Sequence, residues 1–118
     1  MMWKAAPAGL ILAFACAGCA QLAPHGETRK AVLVFESCKK PTYPRADIRE
    51  GHQGTVTLAF LVSAEGVATE AKVLRSTGYR SLDMAAQSGL MTCRFKPALV
   101  DGQPVAQWTN VQYVWKLE

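Results

Sequence analysis

The stretch Gly54–Val62, GTVTLAFLV in one-letter code, decides the fold because its side chains alternate in type along the chain. The large apolar side chains share one face of an extended chain, namely Val56, Leu58, Phe60 and Val62. Thr55, Thr57 and Ala59 fall on the other face, so the stretch predicts a β-strand that is buried on one side. Turn-forming residues follow at positions 63–66, and residues 67–75 predict a return strand that completes a β-hairpin.

Two helices are predicted around this hairpin. Pro44 suits the first position of a short helix over residues 45–50, and Gly51 is a typical helix end. Ser81 is predicted to cap the start of a second helix. The apolar residues at helical spacing after Ser81 form one narrow stripe, which comprises Leu82, Ala85, Ala86, Gly89, Leu90 and Cys93.

Residues 107–117 alternate again and predict the last strand, with Val111, Tyr113, Trp115 and Leu117 on its apolar face. The order helix, strand, strand, helix, strand predicts an α+β fold, a two-layer sandwich of antiparallel strands with helices on one face. We place this domain at residues 37–118. The last strand must lie centrally or leave one row of backbone groups unpaired. A short apolar run at residues 31–35 is the alternative partner that would close such an edge.

The first 18 residues have the pattern of a secretory signal, in which Lys4 precedes an uncharged run over residues 5–18. This run is shorter than the roughly 20 residues that a helix needs to span hydrocarbon. The ending Ala17-Gly18-Cys19 resembles a bacterial lipobox, which implies that Cys19 carries lipid. By the same resemblance, Ala20 implies the outer membrane. An uncleaved anchor and simple cleavage are the alternatives.

Residues 19–36 are predicted to form a tether, because residues 21–30 are polar and include Pro24 and Gly26. At no more than ~3.6 Å per residue, the polar residues 21–30 alone could hold the domain up to roughly 35 Å from a membrane. We therefore expect the protein in the cell envelope, lipid-anchored and facing the periplasm. An excess of three positive charges remains once Lys4 is removed, which is typical of a solvated surface, and export leaves no nucleic-acid partner.

Two cysteines remain in the predicted domain, Cys38 before the first helix and Cys93 at the end of the second. Paired cysteines in a small exported domain usually form a disulfide. A bridge here would close a loop of about 56 residues, for which the chain-entropy relation gives roughly 4 kcal/mol. The alternatives are a catalytic thiol, with His25 or His52 as its base, and a zinc site, whose ligand spacing is absent.

The residue patterns of an enzyme are lacking. The glycines at positions 51, 54, 66, 78 and 102 fall at turns or helix ends, and Gly89 lies within a helix. None of them forms a phosphate-binding loop after a strand. Asp47, Glu50 and Asp83 are predicted to be solvated or helix-start carboxylates. We therefore expect no enzymatic activity, no cofactor and no metal ion.

Short motifs in a fixed order cover residues 41–117. They are Pro41-Thr42-Tyr43-Pro44, Gln53-Gly54-Thr55-Val56-Thr57-Leu58-Ala59-Phe60, Glu65-Gly66-Val67, Val73-Leu74-Arg75-Ser76-Thr77-Gly78, Leu82-Asp83-Met84-Ala85-Ala86, Arg94-Phe95-Lys96-Pro97-Ala98 and Asp101-Gly102-Gln103-Pro104-Val105. In order and spacing, these motifs resemble the C-terminal domain of TonB-type energy transducers. The resemblance implies a two-layer sandwich with a three-stranded antiparallel sheet and two helices.

Members of that family bind the TonB box, a short extended segment of outer-membrane transporters that adds a strand to the sheet edge. In such β-augmentation, main-chain hydrogen bonds supply affinity and side-chain pockets supply selectivity. The resemblance implies that Lys40, Tyr43 and Pro44 line the partner-facing end, and Tyr43 is also expected to fix the angle of the first helix. It implies that the last strand offers the edge through Gln107, Thr109, Val111, Gln112 and Tyr113.

Energy transducers of this family carry a transmembrane N-terminal helix and a long proline-rich spacer, and this sequence shows neither pattern. We therefore expect a lipid-tethered binding module without force transduction. Its partner would be a TonB-dependent transporter or another envelope protein. The alternative is a structural or assembly lipoprotein that forms a homodimer through its edge strand.

Overall fold

The computed structural model describes residues 26–118, and within that range no helix is long and apolar enough to cross a membrane. In chain order the elements are β1 (Val32–Val34), α1 (Arg45–Glu50), β2 (Gly54–Val62), β3 (Ala68–Arg75), α2 (Arg80–Met91), β4 (Arg94–Lys96), β5 (Ala98–Val100), β6 (Gln103–Val105) and β7 (Gln107–Trp115). A 3-10 turn, Phe35–Ser37, follows β1. The predicted signal and Cys19 lie outside the described residues.

β2 is the central strand of a three-stranded antiparallel sheet with the order β3–β2–β7. The residues on its predicted apolar face are fully buried, namely Val56, Leu58, Phe60 and Val62. β7 pairs with β2 along its whole length, from Gly54 opposite Trp115 to Val62 opposite Gln107. The predicted α+β sandwich, with three long antiparallel strands and two helices, is confirmed.

α2 covers the apolar face of the sheet with its own buried residues Leu82, Ala86 and Leu90. The helix begins at Arg80, one residue before the predicted cap at Ser81. Tyr79 occupies the N-cap position without a side-chain capping bond, and Ser81 lies in the first turn. The predicted capping role of Ser81 is therefore wrong.

Asp83 fixes the loop between β3 and α2. Its carboxylate accepts hydrogen bonds from the Thr77 N–H at 2.9 Å, from the Thr77 hydroxyl at 2.8 Å and from the Ser76 hydroxyl. Asp83 lies in the first turn of α2, as predicted for a helix-start carboxylate, but it is only 6% exposed and therefore not solvated. Burial alone would raise the pKa of Asp83, but these hydrogen bonds and Arg80 outweigh burial and leave that pKa below its ordinary value.

A second, smaller antiparallel ladder joins the N-terminal part of the domain to residues 94–102. β1 pairs with β4, and the same register continues where Arg29 and Leu99 exchange two backbone hydrogen bonds of 2.9 Å. The Glu27 carbonyl accepts the Gly102 N–H at 2.8 Å, and Ala31 between these contacts is buried. We call this pairing of residues 27–34 the N-terminal ladder. Because it belongs to the fold, the folded part of the chain begins well before the predicted boundary at residue 37.

A disulfide joins Cys38 to Cys93, with their Cα atoms 4.7 Å apart, a usual separation for such a bridge. Cys93 follows α2 and is buried in the core. Cys38 begins the extended segment that leads to α1. The bridge therefore ties the C-terminal end of α2 to the chain between β1 and α1.

We expect loss of this disulfide to lower the melting temperature substantially. Removing such a bridge from a small exported domain costs about 2–5 kcal/mol, and a loss of about 3 kcal/mol corresponds to roughly 12–24 °C for a domain of this size. Reduced wild type and the double variant Cys38→Ser, Cys93→Ser should melt alike, and reductant should leave the variant unchanged. Two free thiols in non-reducing mass spectrometry, after expression in an oxidising compartment, would contradict the pairing.

Candidate functional site

The two edges of the three-stranded sheet differ in protection. β3 carries three charged residues, Glu70, Lys72 and Arg75, of the kind that discourages pairing with another strand. β7 carries none. Among residues 26–118, the backbone of β7 bonds to β2 on one side and to no other segment on the opposite side. β1 pairs with β4 and not with β7, so the alternative in which residues 31–35 close this edge is wrong. β7 therefore presents an unprotected edge.

A groove of about 400 Å³ lies beside the C-terminal half of β7. It is formed by β7, the residues that follow it and the extended segment before α1. The lining residues are Lys40, Pro41, Tyr43, Tyr113, Val114, Trp115, Lys116 and Glu118. The groove therefore adjoins the unprotected edge at one end.

Aromatic side chains form a continuous row at this groove. The ring of Trp115 contacts Tyr43 and Tyr113 edge-on, with centroid separations of 4.8 and 5.0 Å. Phe35 extends the row, with its ring centroid 6.3 Å from that of Tyr113. The buried Trp115 donates its indole N–H to the Leu82 carbonyl at 3.1 Å. The row is thereby fixed to the start of α2.

The extended segment of residues 39–44 is held at several points. The disulfide at Cys38 precedes it, and Pro44 ends it, with its carbonyl accepting the N–H groups of Asp47 and Ile48 in α1. Pro41 is buried against Gly89, where a Cβ atom would lie 3.0 Å from the proline ring. A glycine costs about 1 kcal/mol relative to alanine inside a helix, so Gly89 is explained by this close approach. The segment therefore presents Lys40 and Tyr43 in a fixed geometry.

Tyr43 is attached to α1 through a chain of polar contacts. Its hydroxyl donates to the backbone carbonyl of His52. The His52 ring lies 2.7 Å from the Asp47 carboxylate and stacks on Tyr79 with 3.8 Å between centroids. Asp47 lies in the first turn of α1, as predicted for a helix-start carboxylate, but it is buried and therefore not solvated. Ser81 and then His52 lower the pKa of the Asp47 carboxyl, which therefore stays ionised.

The groove combines positive charge with neutral phenols. Lys40 and Lys116 contribute positive charges to its lining, and Glu118 a negative one. Desolvation and then the charge of Asp47 raise the pKa of Tyr43, and burial raises that of Tyr113. Both hydroxyls therefore remain protonated at neutral pH. This arrangement suits an extended peptide with apolar and acidic side chains.

Comparison with known proteins identifies the family. The family described as Gram-negative bacterial TonB protein C-terminal matches residues 39–117. The chain belongs to this family. Protein TonB of Vibrio cholerae is 33% identical over 101 residues, which cover 81% of this chain and 41% of that protein. Protein TonB of Xanthomonas campestris is 39% identical over 74 residues, which cover 63% and 33%.

A solved TonB structure has the same fold. The solution NMR structure of the Pseudomonas aeruginosa TonB C-terminal domain superposes with a TM-score of 0.58 at 27% identity. The match covers 69% of this chain and 82% of that structure. The chain thus spans about two fifths of the Vibrio relative and a third of the Xanthomonas relative, and the similarity lies in the TonB C-terminal domain.

The residues that the TonB resemblance singles out do not all meet at one place. Lys40, Tyr43 and Tyr113 line the groove together. Val111 and Gln112 lie on the adjoining stretch of β7, and Gln107 lies at its far end. Thr109 lines a second depression of about 200 Å³ with Lys30, Trp108 and Asn110. Pro44 stands at the start of α1 and is not among the groove residues.

Several groove residues were missed by the sequence analysis. They are Pro41, Val114, Trp115, Lys116 and Glu118. Pro41 lies inside a quoted TonB motif, and Val114, Trp115 and Lys116 lie in the alternating segment, so their proximity to Tyr43 was the missing information. Phe35 carried no sequence signal, because its contact with Tyr113 depends on the N-terminal ladder.

We expect Tyr43 to support the fold as well as line the groove. Tyr43→Phe keeps the ring contact with Trp115 but loses the bond to the His52 carbonyl, which should cost about 1 kcal/mol. Tyr43→Ala also loses the ring and should cost about 3 kcal/mol. Thermal unfolding of the wild type and both variants should show that Tyr43→Ala is less stable than Tyr43→Phe, and Tyr43→Phe less stable than the wild type. Wild-type melting of both variants would contradict the prediction that Tyr43 stabilises the fold.

Proposed function

We propose that this chain is a protein-binding module of TonB C-terminal type, which binds an extended segment of an envelope protein along the free edge of β7. The observation that carries the proposal is the uncharged edge of β7, which no further strand among residues 26–118 pairs with, beside a groove that holds Lys40 and Tyr43. A bound segment would extend the sheet by one strand, with backbone hydrogen bonds to β7 and side chains directed alternately toward the groove and toward the open face. No catalytic step is part of this function.

The proposed partner is a TonB-dependent outer-membrane transporter or another envelope protein with an extended segment. Family membership supports the transporter, because the relatives are named Protein TonB. The chain matches 41% of the Vibrio protein, so we propose only the binding part of that protein's role for it.

We also propose that the chain acts in the cell envelope, attached by lipid on Cys19 and facing the periplasm, with the outer membrane as its site. The sequence pattern before Cys19 supports lipidation. The disulfide between Cys38 and Cys93 supports an oxidising compartment, because such bridges persist there and are rare in the cytosol.

We expect strand addition at β7 to be visible in solution. Titration of isotope-labelled protein with synthetic N-terminal segments of TonB-dependent transporters should shift amide signals of β7 and residues 39–44. The signals of β3 serve as the internal control and should stay in place, because its charged residues protect that edge. Shifts that centre on β3, or concentration-dependent dimerisation with no response to peptide, would contradict the proposal. The latter result would favour self-association.

Two proline variants complete this test. Neighbouring residues of an antiparallel edge strand direct their backbone groups to opposite sides, so one of Val111→Pro and Gln112→Pro spares the bonds to β2. We expect that variant to remain folded and to lose peptide binding, since proline removes a ladder donor. If the proline variant that remains folded bound the peptide as tightly as the wild type does, recognition at this edge would be excluded.

The anchor is tested separately. Cys19→Ser should move the protein from the membrane fraction to the soluble periplasmic fraction, or leave it as an unprocessed precursor. Metabolic labelling with a radioactive fatty acid should mark the wild type and not the variant. Membrane association that persists in Cys19→Ser with an intact N-terminus would indicate an uncleaved anchor instead.

A further inference from the structure

Phe35 is a large aromatic residue whose side chain is incompletely buried. It is 42% exposed, although its ring contacts Tyr113 in the groove. It belongs to the 3-10 turn Phe35–Ser37, which precedes the family-matched residues 39–117. The other members of the aromatic row, Tyr43, Tyr113 and Trp115, are buried or half-buried. Phe35 is therefore the member of the row that retains most surface for a further contact.

The turn that carries Phe35 is fixed on both sides. β1 pairs with β4 before it, and the disulfide at Cys38 follows it. Within the turn, the Ser37 hydroxyl donates to the Val34 carbonyl at 2.6 Å and accepts the Arg94 N–H at 2.7 Å. Phe35 is thus presented at a defined position, which lowers the entropic cost of a contact with a ligand.

The N-terminal segment runs beside the face of β7 that points to the helices. The Thr109 hydroxyl donates to the Ala31 carbonyl at 3.0 Å, and four residues further along each segment Phe35 contacts Tyr113. A strand added to β7 directs every second side chain to this same face, with cross-strand Cβ separations of about 5 Å. An inward side chain next to Tyr113 would therefore meet Phe35.

We propose that Phe35 is a specificity-determining residue of the β7 edge site, where it selects an apolar side chain in the bound protein segment. The occupant is an extended segment with that apolar residue opposite Tyr113 and an acidic residue two or three positions away, toward Lys40 and Lys116. Charge complementarity supports the acidic residue, because two lysines line the adjacent end of the groove against a single carboxylate side chain, that of Glu118. This inference rests on the proposed function and adds the chemistry of the segment that the site accepts.

The test uses the purified protein and an array of blocked nine-residue peptides, the length of β7. Each peptide is threonine except for one leucine and one glutamate, and all pairs of positions are made, together with an all-threonine peptide. The tightest binders should carry leucine and glutamate two or three positions apart. Phe35→Ala should weaken these by about tenfold, the effect of an apolar contact at the centre of an interface.

The pattern of affinity losses among the peptides distinguishes recognition by Phe35 from a merely structural role. Phe35→Ala should weaken the leucine-containing peptides more than the all-threonine peptide, and should lower the melting temperature only slightly, through loss of the ring contact with Tyr113. Phe35→Leu should retain the preference for leucine. Leu74→Ala on β3 is the matched control, since Leu74 is an apolar residue of similar exposure (50%) on the opposite edge. If Phe35→Ala lost affinity equally for all peptides, or lost none, the proposed role of Phe35 would be contradicted. The proposed binding site at the edge of β7 would not be affected by that result. If no peptide bound the wild type, the proposed binding site at the edge of β7 would be contradicted, and so would the role of Phe35 in it.

Discussion

The structure depends on the central position of β2. A nine-residue strand whose apolar residues are fully buried pairs on both sides, with β3 through a hairpin and with β7 across the rest of the chain. A three-stranded sheet built in this way necessarily has two edges. The charged residues of β3 protect one of them, and β7 carries no such protection. The location of the proposed binding site follows from this asymmetry and from the register that brings Tyr113 and Trp115 next to the segment before α1.

The segment before α1 shows how a small domain prepares a recognition surface. Residues 39–44 have no regular secondary structure, and yet Cys38, Pro41 and Tyr43 each attach them to a different part of the fold. Fixing a residue of a free chain costs about 1–2 kcal/mol. Because the conformational entropy of this segment is already lost when the domain folds, binding of a partner beside Lys40 and Tyr43 does not require that loss again.

Much of the fold could be predicted from local patterns, and the misses share a cause. Alternation placed β2 and β7, and helical spacing placed α2, because each burial pattern repeats within one element. The pairing of residues 27–34 was not foreseen, since Glu27 and Arg29 give no strand signal and their partners lie about seventy residues away. Asp83 and Asp47 were taken for surface carboxylates because their donors, Thr77 and His52, are identified only by the tertiary structure. Of the residues that line the groove, the motif resemblance singles out Lys40, Tyr43 and Tyr113, whereas the place of Phe35 beside them depends on the N-terminal ladder.

The N-terminal ladder also determines how the domain responds to mechanical tension. A pull on the N-terminus acts first on the hydrogen bonds between residues 27–34 and residues 94–102, because these are the first contacts that the described chain makes. Once they separate, the covalent link between Cys38 and Cys93 carries the load and passes it directly to the end of α2. The pull therefore extends the residues before Cys38, and the disulfide protects the loop that it closes, which contains β2 and β3, from that extension. Phe35 lies inside that extensible stretch, so tension would remove it from Tyr113 while Lys40 and Tyr43 keep their places.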